Sequence, residues 1–259
     1  MRFTTRTTAL ATAALLLVLG PTGWAQVAPA ATDPAQPVLE AEPEPPRELE
    51  AFLASYQVFN DGRALGTATM QVSPAEGDRW RVDLNLKGGG LARLAGLNLQ
   101  QSTVFETHDN QYRPISQALV KRVFLSNRKT VGVYDWNARS ARWTGDVKET
   151  RRRPVPLQSG DMSGLLINLA VIRDAQPGRT LHYRFVDDGR AREHVYHVAA
   201  ETEVIQVGDL SYDAMRVERV QGGSEQTVIW VASGVPTPIR ILQREDGEDA
   251  TDLRLIQYS

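Results

Sequence analysis

Trp80-Arg81-Val82-Asp83-Leu84-Asn85-Leu86-Lys87 alternates apolar and polar residues without a break. Successive side chains of a strand point to opposite faces, so Trp80, Val82, Leu84 and Leu86 share one side and Arg81, Asp83, Asn85 and Lys87 the other. That is the pattern of a strand with one face on a core and one in water. The same period of two recurs from Phe52 to the end of the chain. It predicts strands near 53–59, 64–72, 79–87, 98–107, 112–125, 129–136, 141–148, 180–187, 190–200, 202–207, 211–220, 225–231, 238–245 and 251–258. Turn-forming residues separate them: Asn60-Asp61-Gly62, Ser73-Pro74, His108-Asp109-Asn110, Asp187-Asp188-Gly189, Gly222-Gly223 and Asp246-Gly247. Many strands with short connections predict an all-β domain: a highly curved antiparallel sheet or open β-barrel.

Two segments interrupt the alternation. Gly88-Gly89-Gly90 leads into Leu91–Leu97, which has the length of one or two helical turns. Further on, Ser159-Gly160-Asp161-Met162-Ser163 precedes Leu165, Leu166, Leu169 and Ile172, which fall on one helix face. Either Asp161 or Ser163 is placed to cap that helix, and Pro177-Gly178 closes the segment. A single apolar helix in a β chain must be buried, and the concave side of the sheet is the place for it, as a plug or a lid.

Upstream of the strands the composition changes twice. Met1-Arg2-Phe3-Thr4-Thr5-Arg6, an apolar run from Ala9 to Gly20 and Gly23-Trp24-Ala25 make a basic, apolar, small-x-small series, the pattern of a cleavable export signal over residues 1–25. The apolar run is shorter than the roughly 20 residues of a membrane span, so no span is expected after cleavage. No adjacent arginine pair precedes it, which favours the general secretory route. Residues 26–48, with Pro29, Pro34, Pro37, Pro43, Pro45 and Pro46 among Ala and Glu, read as a disordered linker. Residues 49–259 are then a single β-rich domain. The chain has no cysteine, so neither a lipidated cysteine nor a disulfide framework is available and a core must hold the fold. Of 29 basic side chains, Arg2 and Arg6 lie in the signal, leaving 27 against 31 acidic ones, a formal charge of −4. That balance argues against a nucleic-acid partner. The expectation is an exported, periplasmic, monomeric protein.

Tyr56-Gln57-Val58 with Gly62 and Gly66-Thr67-Ala68, then Asp161-Met162-Ser163 and its leucine-rich helix, then Thr227-Val228-Ile229-Trp230-Val231, Pro236 to Ile241 and Asp246-Gly247 carry a resemblance. In these strand-and-turn patterns the chain, from about 52 to 258, resembles the exported bacterial proteins grouped as domain of unknown function 3108. The resemblance implies a β-rich fold; the family carries no established activity, so it transfers no functional residue. More distantly, strands around one helix are similar to the open barrels of periplasmic lipoprotein carriers, a likeness of architecture alone.

Residues capable of chemistry do not assemble into a reaction. Asp188-Gly189 predicts a two-residue hairpin in which paired residues sum to 377: Tyr183 with His194, Phe185 with Arg192, Leu181 with Tyr196. One face then carries Leu181, Tyr183, Phe185, His194, Tyr196 and Val198, the inner face. The other carries His182, Arg184, Glu193 and His197. His182, His197 and Glu193 fall short of a converging zinc set with its outer shell. Ser126-Asn127-Arg128-Lys129 matches S-x-x-K, but that chemistry needs a helix start and the motif sits at a strand turn. Gly160-Asp161-Met162-Ser163-Gly164 is not a nucleophile elbow. Lys148 and Arg151-Arg152-Arg153, near Arg139 and Arg142, form the one basic cluster, which reads as a solvated loop. No metal, cofactor or catalytic residue is expected.

These observations predict a non-catalytic binding or carrier module for an apolar, lipid-like ligand, with Trp80, Tyr183, Phe185, Tyr196 and Trp230 as inner-face candidates for its pocket. The alternative is an envelope protein-interaction module without a small ligand, using the linker as a tether and an edge strand near Phe52 or Tyr258. An envelope hydrolase ranks last.

Overall fold

A computed structural model of the chain describes residues 48–94, 96–123, 126–220 and 225–259. The segment expected as an export signal, and all but the last residue of the expected linker, lie outside the described residues. The first strands are β1 (Phe52–Asn60), β2 (Arg63–Pro74) and β3 (Arg79–Gly88), followed by the short helix α1 (Gly90–Leu94). Next come β4 (Asn98–His108), β5 (Gln111–Val123), β6 (Ser126–Asp135), β7 (Ser140–Gly145) and the two-residue β8 (Val155–Pro156). After β9 (Asp161–Met162) comes the long helix α2 (Gly164–Asp174). The chain returns through β10 (Thr180–Asp187), β11 (Arg190–Val207), β12 (Leu210–Arg219), β13 (Glu225–Ala232), β14 (Arg240–Glu245) and β15 (Glu248–Tyr258).

Among the described residues all fifteen strands join one sheet, in the order β8 to β1, then β15 back to β9. The first and last strands therefore pair at its centre, from Ala54 opposite Tyr258 to Asn60 opposite Thr251. Every neighbour is antiparallel except the short β9–β10 pairing, and the ends of the sheet are β8 and β9. Sequential antiparallel strands need only tight turns, which is why the turn residues of the sequence map the topology directly. The all-β class, the curled open sheet and the interposed helix are as the sequence predicts.

Inside the curl, Phe52, Ala54, Tyr56 and Val58 of β1 meet Ala68, Met70 and Val72 of β2 and Val82 and Leu86 of β3 in one core. Helix α2 lies across this concave face, near β3, β4, β5, β10 and β13. Its burial exceeds the single face the sequence predicts: Ile167, Ala170 and Val171 are buried along with Leu165, Leu166, Leu169 and Ile172. A helix buried on more than one face belongs inside a core, and that is the reading the structure supports: a plug. Its ends are tied down. Ser163 occupies the cap position but makes no capping bond; its hydroxyl lies 2.9 Å from the Thr103 hydroxyl on β4. Asp161 does not cap either, because it belongs to β9 and pairs with Arg184 at 2.6 Å. At the far end Tyr183 donates to the Asp174 carboxylate at 3.0 Å.

Two further corrections concern the strands. The segments 190–200 and 202–207 are one strand, β11, with a shift of register between Val198 and Thr202 that bends it without ending it. The other concerns the segment around β6–β8 and its basic loop, which the sequence reads as solvated. Tyr134, Ala141, Trp143, Val147, Val155 and Leu157 make a second small core with Val186 of β10. This closes the curl from outside: the Tyr134 hydroxyl donates to the Val186 carbonyl at 2.7 Å. Beside it Gln117 donates to Asp187, and Arg128 and Arg151 both pair with Asp188. Arg151, which the sequence assigns to a solvated basic loop, is thus part of a clasp between the two arms of the sheet, joining the β6–β8 region to the β10–β11 turn.

Candidate functional site

The β10–β11 hairpin adopts the register that its turn dictates. Asp188 and Gly189 both have positive φ, 49° and 71°, as a two-residue primed turn requires. Tyr183 then opposes His194, Phe185 opposes Arg192 and Leu181 opposes Tyr196. A side chain at Gly189 is excluded twice, since a Cβ there would lie 1.9 Å from the Arg151 carbonyl oxygen.

The inward face of this hairpin, the start of α2 and the inner faces of β3, β4 and β12–β15 enclose a half-open cleft of about 780 Å³. Its floor is apolar: Leu84 and Leu86 from β3, Leu99 from β4, Leu165 and Ile167 from α2, with Phe185, Tyr196, Ile241 and Leu253. Gly164 opens α2 without a side chain, and a Cβ there would stand 3.2 Å from the Phe185 ring, so the glycine lets that ring approach the helix start. The Phe185 and His194 rings stack at 5.1 Å between centroids, and the ring of Tyr196 lies 6.2 Å beyond. Polar side chains of the same elements complete the lining: Gln101, Asn168, Thr227, Gln243 and Thr251.

Arg190, Arg192 and Arg219 reach the same cleft, as do Glu193 and Glu225. The His194 imidazole is held down to about 4, first by burial and then by the nearby Arg219 and Arg192, so it is neutral at neutral pH. Burial pushes the Tyr196 hydroxyl up to about 12 and that of Tyr183 higher still. Neither tyrosine is a base at neutral pH.

The five aromatic candidates separate. Phe185 and Tyr196 line the cleft. Tyr183 shares their face but packs against Tyr196 and bonds Asp174, serving the anchoring of α2. Trp80 also faces inward, opposite Phe105, but four residues before Leu84 on β3; it lines a separate hollow with Leu49, Thr107, Asp109, Asn110 and Tyr112. Trp230 is not an inner-face residue. It pairs with Arg216 and Arg240, whereas its neighbour Ile229 pairs with Val217 and Ile241 on the cleft side. Arg240 covers the Trp230 ring at 4.8 Å and Glu203 accepts its indole N–H at 2.8 Å, which buries it on the other side of the sheet. Sequence reasoning missed Leu84, Leu99 and Leu165 as cleft residues; the first two are signalled by the alternation of their strands, the third by its place on the helix. Arg190, Arg192 and Arg219 share parity with the inner face of their strands, and that alternation is the signal for them.

Elsewhere the chemistry stays scattered. Ser126 and Lys129 are three apart on β6, so their side chains leave opposite faces of the strand. Among the described residues no group of three or more His, Asp or Glu is arranged to hold a metal ion. No helix among them is long and apolar enough to cross a membrane.

A curled, open, largely antiparallel sheet plugged by one helix defines the class: a β-barrel-like, all-β fold. Within it, residues 52–253 match the family model described as protein of unknown function (DUF3108), and the chain belongs to that family. Among solved structures, the chain is similar to the crystal structure of a beta-barrel-like protein of domain of unknown function DUF1849 from Brucella abortus. The identity is 8%, the match covers 82% of this chain and 98% of that one, and the TM-score is 0.44. A search of curated proteins found no match.

Proposed function

We propose that this protein is a non-catalytic binding or carrier module for an apolar, lipid-like ligand, acting in the periplasm after export. The observation that carries the reading is the cleft between α2 and the sheet. At about 780 Å³ it falls in the range of about 300–1,000 Å³ typical of small-molecule sites, and its floor is built from aliphatic and aromatic side chains. Placement in the periplasm rests on the export pattern of residues 1–25. The non-catalytic part rests on His194, the inward histidine, whose closest partners are the Phe185 and Tyr196 rings and whose charge environment is dominated by arginines. A general base needs a nucleophile within reach and a group to orient it.

The test is native mass spectrometry of protein purified from the periplasm without detergent, followed by solvent extraction and identification of what is released. A stoichiometric adduct of an acyl-chain compound, lost when Leu99 or Leu165 is replaced by Asp in a folded variant, is expected. A clean unliganded mass, together with no uptake of added dodecanoate or dodecanol, overturns the carrier reading.

A further inference from the structure

The cleft is lopsided in charge. Its β11–β12 wall presents Arg192, His194 and Arg219, with Arg190 at the lip. Arg219 lies directly across from Tyr196, two residues along β11 from His194 and on the same face. The Arg192 guanidinium stands 5.8 Å over the Phe185 ring, where the cationic wall meets the apolar floor. Among the described residues, none of Arg190, Arg192 and Arg219 forms an ion pair, while most of the other arginines near the clasp do. Two carboxylates share the cleft. Glu193 is on the opposite face of β11 and reaches Arg184, at 3.7 Å; Glu225 offers its backbone carbonyl to Arg219.

Two polar atoms of this wall are out of contact with water and have no hydrogen-bond partner among the described residues: Nδ1 of His194 and Nε of Arg219. Buried donors and acceptors are ordinarily satisfied, and leaving one bare costs about 1–3 kcal/mol. Two such atoms beside an unpaired guanidinium, at the end of an apolar trough, describe a receptor for a compact anion attached to a chain. Crowding acts in the same direction: burial and then the charges of Arg192 and Arg151 weaken the hold of Arg190 on its proton, a situation a negative ligand relieves.

We propose that the cleft takes a single-chain amphiphile with an anionic head, carboxylate or phosphate, the head against Arg192, His194 and Arg219 and the chain along Leu84, Leu99 and Leu165. This deepens the carrier reading above and rests on it. The arginines supply charge-assisted hydrogen bonds to the head, and the neutral imidazole offers one further polar contact without adding charge.

Four probes of equal chain length separate the terms: dodecanoate, dodecyl phosphate, dodecanol and dodecyltrimethylammonium, each titrated calorimetrically into the exported chain. Dodecanoate, dodecyl phosphate or both should bind about tenfold or more tightly than dodecanol, with the advantage shrinking as salt is added. Which of the two is tighter identifies the head. R219Q and R192Q should each reduce the anion's affinity severalfold and leave that of dodecanol unchanged. Because Arg219 also holds the Glu225 carbonyl, unfolding midpoints are measured for both variants, and R192Q, free of that bond, decides the matter if R219Q is destabilised. Equal binding of dodecanol and the anions, or preference for the ammonium, overturns the anionic head and leaves the carrier reading standing. Binding of none of the four overturns both.

Discussion

Replacing Leu166 by Ala tests whether α2 is a plug or a lid. Leu166 is fully buried on α2, inside the core formed with β1–β3 and β13. The substitution removes three carbons, worth about 0.8 kcal/mol each in transfer, or about 2.4 kcal/mol together. The space left behind adds to this where the walls cannot collapse, giving about 3–5 kcal/mol in all. Here the walls are strands of one hydrogen-bonded sheet, so the upper part of that range is expected. Equilibrium unfolding in urea, followed by tryptophan fluorescence, measures it; with a slope of about 2–3 kcal/mol per molar, the midpoint should fall by about 1–2.5 M. Leu165→Ala is the internal control. Its side chain is nearly as buried but borders the cleft, so the space left opens onto an existing hollow and the loss should be smaller, by up to about 1 kcal/mol. A loss below about 1 kcal/mol for Leu166→Ala, with the slope unchanged, would refute the plug: it would mean the helix leaves the sheet without disturbing the fold.

Stability should fall on acidification through His194. Its folded-state value of about 4 lies below the ordinary 6.5, so the unfolded chain binds the proton first; stability is complete above about 6.5 and lost as pH drops toward 4. In His194→Gln the slope of unfolding free energy against pH between those values should be flatter than in the unaltered protein, and an identical slope would show that His194 is not shielded as described. Gly189→Ala combines a positive φ with a Cβ 1.9 Å from the Arg151 carbonyl oxygen, so it should destabilise by more than about 1 kcal/mol. Thermal unfolding measures that loss, and a midpoint equal to the parent's would deny that the turn is pressed against the 3₁₀ turn at Glu149–Arg151.

What the sequence determined by itself is local. Period-two alternation identified the strands, because neighbouring side chains of an extended chain must leave opposite faces. Asp188-Gly189 set the hairpin register and with it the inward placement of Phe185, His194 and Tyr196, because a primed turn of two residues admits one pairing. Where alternation lapses, the inference lapsed with it: Val228 to Ala232 are apolar at every position, so nothing local says which face of β13 holds Trp230. Only tertiary structure decided that, by carrying Glu203 and Arg240 to the far side of the sheet and burying the indole between them. The clasp of Arg128 and Arg151 on Asp188 joins residues 60 and 37 positions apart, and the cationic wall gains its meaning from leucines contributed by β3, β4 and α2. Curling a sheet brings together strands remote in sequence and gives it a second buried side, and no pattern read along one strand contains either fact.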